Sequence, residues 1–102
     1  MRFLLKVSFS TQAGNAAAQN GFKVVQKLLD QQKPEAAYFV AENGRRTGLL
    51  IVNMDDLSQL PAICEPWFLA LGAEITVVPA MVPDDLRRAA PAIEQAVRSY
   101  AA

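Results

Sequence analysis

Histidine is absent from this 102-residue chain. Its absence removes the commonest acid–base group near neutral pH, every Ser-His or Cys-His dyad and the commonest metal ligand. There is one cysteine, Cys64, so no internal disulfide can form, and a single thiol with scattered carboxylates does not build a zinc site. Long apolar runs are also missing, and no window approaches the roughly 20 residues of a membrane span. The opening Met1–Leu5 is largely apolar, but Lys6 cuts it and alternation continues through Phe9, so it reads as a strand rather than a signal peptide. Neither sign of charge dominates, with ten basic and ten acidic residues. The pairs Arg45-Arg46 and Arg87-Arg88 are isolated and read as solvated surface, so neither a nucleic-acid nor a membrane partner is expected. There is no Walker loop or dinucleotide fingerprint, and no cofactor is expected. The expected compartment is the cytoplasm.

What is present is apolar surface. Hydrophobic residues make up 52% of the chain, at the high end for a soluble domain. A single domain of this length has a modest core, so the excess points to a second buried surface such as a subunit interface. Residues 2 to 9 alternate, with Phe3, Leu5, Val7 and Phe9 on one face. After a polar loop, Asn15 can cap a helix over 16–32 with Ala18, Phe22, Val25 and Leu29 in one stripe. Gly21 inside that helix should weaken it by about 1 kcal/mol. Residues 36–42 and 47–53 are strands around Asn43-Gly44, a hairpin signal. Because Arg45-Arg46 follow, a hairpin centred on Gly44-Arg45 would set Tyr38, Val40 and Glu42 near Ile51, Leu49 and Thr47. Asp55-Asp56 start a second helix that Pro66 interrupts and Gly72 ends. Residues 74–79 form a fourth strand, which Pro79 stops. Asp84 to Tyr100 is a third helix that Pro91 should kink or split.

The order is β-α-β-β-α-β with an added C-terminal helix: an α+β, ferredoxin-like domain over residues 1–82 and a helical extension over 83–102. Right-handed crossovers give an antiparallel four-stranded sheet in the order 4-1-3-2. Phe3, Leu5, Val7, Phe9, Phe39, Leu50, Val52, Ile75 and Val77 belong under the helices. The other face has an apolar ground of Leu4, Val40, Leu49, Ile51 and Val78 broken by Lys6, Tyr38, Glu42, Asn53 and Thr76. A patch of that size is one that monomers usually avoid, and two such faces packed together would bury it, at roughly 1.5–3 kcal/mol per aliphatic side chain. The terminal helix carries its own seam of Leu86, Ala90, Ile93, Val97 and Tyr100, which needs a surface to lie on. A homodimer is therefore expected.

The opening strand into Phe9, the helix through Phe22 and Leu28-Leu29, Gly48 before an apolar strand, Asp55-Asp56, and Glu65-Pro66-Trp67 leading to Glu74-Ile75 and Val78-Pro79 carry a resemblance over residues 1 to 80. The chain resembles the dimeric α/β-barrel superfamily, which includes muconolactone isomerases and antibiotic-biosynthesis-type monooxygenases, and is closest to a small uncharacterised bacterial family. The resemblance implies a dimer with a central barrel and a lumen. It carries no catalytic signature.

The candidate pocket residues are Lys6, Tyr38, Glu42, Asn53, Thr76 and Trp67. Lys6 could bind an anion or act as an acid–base group, or it could simply pair with Glu42 or Glu74. Tyr38 could donate to a substrate carbonyl, or pack locally. Asn53 could orient a ligand or serve as a turn residue. Trp67 beside Phe68 could wall a pocket or fill the core. Cys64 on an inner stripe reads as a small hydrophobe. Two function classes stay open. One is a small-molecule-binding homodimer acting as a cofactor-independent isomerase or oxygenase in the inter-sheet cleft, which requires Lys6, Tyr38 and Asn53 to converge. The other is a non-catalytic dimerisation, ligand-binding or regulatory module with a filled barrel, in which a carboxylate neutralises Lys6.

Overall fold

A computed structural model describes residues 1–101. Its elements are β1 (Arg2–Ser8), α1 (Thr11–Gln19), α2 (Lys23–Gln32), β2 (Ala36–Glu42), β3 (Arg45–Asn53), α3 (Leu60–Leu71), β4 (Glu74–Ala80) and α4 (Pro83–Tyr100), with a short 3-10 turn at Leu57–Gln59. All strand pairs are antiparallel, and the sheet runs β2-β3-β1-β4, the expected order read from the other edge. The fold is α+β and fits the ferredoxin-like pattern, with α4 added after it.

The first helical region departs from expectation. Ser10, not Asn15, caps it: its hydroxyl accepts from Ala13 N at 3.0 Å. The helix then closes early. Gly21 N donates to Ala18 O and Phe22 N to Ala17 O, both at 2.9 Å, which is a Schellman ending. Gly21 and Phe22 are both left-handed, at φ 65° and 55°. One helix over 16–32 is therefore two helices hinged at Gly21-Phe22, because glycine supplies the left-handed turn and the bonds to Ala17 and Ala18 stabilise it.

The hairpin is tighter than expected. Asn43 (φ 53°) and Gly44 (φ 74°) form a two-residue turn with both residues left-handed, and Glu42 pairs with Arg45. Tyr38 consequently faces Leu49 rather than Ile51. The slip is two residues, so every side chain keeps its expected face. Pro79 does not stop the fourth strand, which continues to Ala80, since an edge strand tolerates a missing donor.

Neither Pro66 nor Pro91 splits its helix. Pro66 lies within continuous α3 and Pro91 within continuous α4. The carbonyls they leave without a donor belong to Ala62 and Arg87, both exposed residues. Asp56 caps the 3-10 turn that leads into α3 through a capping box: its carboxylate accepts from Ser58 N at 2.8 Å, and Gln59 Oε1 accepts from Asp56 N at 3.3 Å.

The core lies between the sheet and α1–α3. Leu5, Val7 and Trp67 are fully buried, with Phe3, Phe9, Leu50 and Val52 nearly so. Phe39 is the exception on this face. It lies on edge strand β2 and is 50% exposed. The helix α4 contributes no buried residue, and everything in it from Pro91 on is exposed. The molecule measures 57 × 29 × 19 Å, with a radius of gyration of 17.3 Å. A compact chain of 100 residues would be near 13 Å, so α4 is an arm rather than a layer of the body.

Candidate functional site

The register turns the helix-free face into rows across the sheet. One reads Ala36–Ile51–Leu4–Val78, the next Tyr38–Leu49–Lys6–Thr76, and the next Val40–Thr47–Ser8–Glu74. Tyr38, Lys6 and Thr76 thus share a row. Lys6 Nζ donates to Glu42 Oε1 at 3.1 Å across β3, with both side chains about 40% exposed. Arg45 takes Glu74 at 3.4 Å. Thr47, between Ser8 and Val40, is buried and donates its hydroxyl to Arg45 O at 3.1 Å. Asn53 lies in the row of Arg2 and Ala80, two rows from Lys6, which on strand spacing is about 13 Å away. Nearby Glu35 accepts both short contacts from Arg2 Nε at 3.0 Å, and that hydrogen bonding holds its carboxyl below the usual range.

Of the six candidates, Lys6 is flanked by Thr76 on β4 and bonded to Glu42, whereas Tyr38 is in the same row on the opposite edge strand from Thr76, two strands from Lys6, and Asn53 lies at one end of the sheet. Trp67 is on the opposite side altogether. Its ring is 0% exposed, packs 6.2 Å from Phe9, and its indole N–H donates to Gln32 Oε1 at 3.0 Å. It is a core residue, because the helical stripe that carries it faces the sheet. Cys64 is buried beside it in α3, and burial pushes its thiol up, away from nucleophile behaviour. Among the described residues no three His, Cys, Asp or Glu side chains are placed to hold a metal. No helix is long and apolar enough to cross a membrane.

A second concavity lies on the helix side, at the edge formed by β2. It has a volume of about 350 Å³, and its walls are Phe9, Phe22, Val25, Leu29 and Phe39, with Arg46 and Gln26 at its margin. Arg46 was hidden in the sequence as half of a surface arginine pair. Strand alternation is the signal that separates the two: Arg45 faces the Lys6 side and Arg46 the Phe39 side.

Residues 1–94 match a family described as Domain of unknown function (DUF3303). The chain belongs to this family. The match runs through the whole DUF3303 body and on into α4 as far as Glu94. Neither curated proteins nor solved structures give a match to this DUF3303 chain.

Proposed function

We propose that this DUF3303 chain is a subunit of a homodimeric, non-catalytic ligand-binding module, assembled through the helix-free sheet face and α4 and related to the dimeric α/β-barrel proteins. The observation that carries the reading is that one chain has two unpartnered apolar surfaces. Tyr38 is 66% exposed, and Val40 and Val78 are also exposed. On α4, Leu86, Ile93 and Val97 are more than half exposed and Tyr100 is 88% exposed. A four-stranded sheet of this length covers roughly 400 Å² in plan. Stable complexes bury about 800 Å² per partner, so the sheet face alone falls short and the arm is the surface that makes up the difference.

The pairing of Lys6 with Glu42 favours a module over an enzyme. A lysine serving as an acid–base group needs to be desolvated and free of a carboxylate, and Lys6 is neither. The separation of Asn53 from Lys6 points the same way.

Sedimentation equilibrium tests the assembly. The wild type is expected at twice the monomer mass. Leu49→Arg on the sheet face and Ile93→Glu on the arm are each expected to give folded monomers. A monomeric wild type at 100 μM (about the upper limit for a specific contact) overturns the reading.

A further inference from the structure

We infer that the groove between α2 and β2 is a binding site for a small amphiphilic carboxylate, with Arg46 as its anion anchor. The groove is built by three features of the chain. The hinge at Gly21-Phe22 ends α1 early and turns Phe22, 40% exposed, to the groove lip. Gly48 has no side chain, so the Phe39 ring lies directly over its backbone: a Cβ there would be 3.1 Å from Phe39 Cε1. No helix covers the outer strand, and Phe39 forms an apolar floor open to solvent, backed by Phe9, Val25 and Leu29.

At the margin of this apolar trough is a charge that the protein does not neutralise. Every other arginine of the sheet, Arg2 and Arg45, has a carboxylate partner. Among the described residues, Arg46 has none. Its guanidinium is nevertheless held in place. Nη1 donates to Asn15 Oδ1 at 3.0 Å, and the side chain lies flat on Gly14, where a Cβ would come within 2.7 Å of Nη1. A neutral amide thus fixes the orientation without cancelling the charge. A guanidinium has five N–H donors, and one is used here, which leaves enough for the planar, two-pronged grip on a carboxylate. Apolar walls around about 350 Å³ with one unneutralised arginine in the lining fit a carboxylate joined to a single aromatic ring or a short alkyl chain.

This site is on the face opposite Lys6, so it stands apart from the dimer reading and deepens only the ligand-binding part of it. The test is an amide-resolved NMR titration of the full chain with 3-phenylpropionate, using 3-phenylpropanamide as the uncharged control. The carboxylate is expected to shift Phe9, Phe22, Phe39 and Arg46 and to bind at least ten-fold more tightly than the amide. Asn15→Asp puts an internal carboxylate on Arg46 with little change of shape, and is expected to remove that ten-fold preference while leaving amide binding unchanged. Arg46→Gln should do the same. Equal affinity for both probes, shifts confined to Lys6 and Tyr38, or no binding overturns the assignment. Oligomeric mass measured on the same samples keeps the two readings distinct: a dimer that ignores the carboxylate refutes the groove alone, and a monomer that binds it refutes the dimer alone.

Discussion

The indole N–H of Trp67 donates to Gln32 Oε1 at 3.0 Å, while the amide nitrogen of the same glutamine donates to Ile63 O at 2.9 Å. Gln32 is the last residue of α2, and both its partners are in α3. One side chain therefore ties the two helices together and satisfies the only polar side-chain atom of a fully buried tryptophan. Gln32→Ala leaves that N–H unpaired in the core. The expected loss is about 1–3 kcal/mol, read from urea unfolding followed by Trp67 fluorescence. A loss under about 0.5 kcal/mol would mean that water replaces the glutamine.

Gly14 and Gly21 should respond to the same substitution for different reasons, Gly21 through backbone strain and Gly14 through its contact with Arg46. A Cβ at Gly21 meets nothing within 4 Å, but the backbone is left-handed there. Gly21→Ala is therefore expected to cost about 1 kcal/mol from conformation alone. Gly14 is inside α1 at an ordinary helical conformation, and its Cβ would touch only the movable end of Arg46. Gly14→Ala gains helix propensity as it displaces the guanidinium, so stability should stay within about 1 kcal/mol of wild type. Thermal unfolding of the two variants side by side decides this.

The architecture was legible because strand signals are local. Alternation in 2–9, the Asn43-Gly44 pair and the glycine at 72 each act on their own neighbours. The segment that forms the groove was not legible for the opposite reason. Ser10 and Asn15 are both good caps; Ser10 takes that role, and the Asn15 amide oxygen accepts from Arg46 instead, a long-range contact that no local pattern announces. Phe22 carries no mark of a left-handed residue; its conformation follows from the closure onto Ala17. Pro66 and Pro91 look like breaks, yet the helical turns on either side of each continue unbroken. Of the candidate residues, the Lys6–Glu42 pair followed from strand register, whereas Trp67 was on the far side because helix phase, not sequence proximity, decides which layer a side chain enters.

Acid should destabilise the fold through three carboxylates. Ser58 N holds Asp56 low, Val82 N and then Arg88 hold Asp85 low, and Arg2 holds Glu35 low. Each has a folded pKa below its unfolded one, so its contribution is present above the ordinary carboxylate range of about 4 and is lost as pH falls through the lower, folded value. The urea midpoint is expected to be flat from pH 7 to about 5 and to decline below that. Asp56→Asn should start lower at pH 7 and decline less steeply. A midpoint that rises below pH 4 would contradict the assignment.

Lys6 and Glu42 are both partly exposed, so in an isolated subunit each would be solvated without the other. Lys6→Met is then expected to change monomer stability by less than about 1 kcal/mol. If the sheet face is covered by a second copy, the abandoned carboxylate is buried and the dimer should weaken by ten-fold or more. Comparing unfolding at low concentration with dissociation at high concentration separates the two effects.

The edge strand has a hazard as well as a floor to offer. From Ala36 to Ala41 the chain runs Ala-Ala-Tyr-Phe-Val-Ala, six residues with neither charge nor proline, and in β2 only one backbone edge is paired. Such a stretch is a template for strand addition and for amyloid-type stacking. Glu35 and Glu42 are its only charged gatekeepers, and both are committed to ion pairs with β1, Glu35 with Arg2 and Glu42 with Lys6. Removing Glu35 or Glu42 would therefore leave this uncharged run without the charged side chain that ends it on that side, opening the edge to strand addition by a neighbouring molecule and making self-association of the chain a function of concentration.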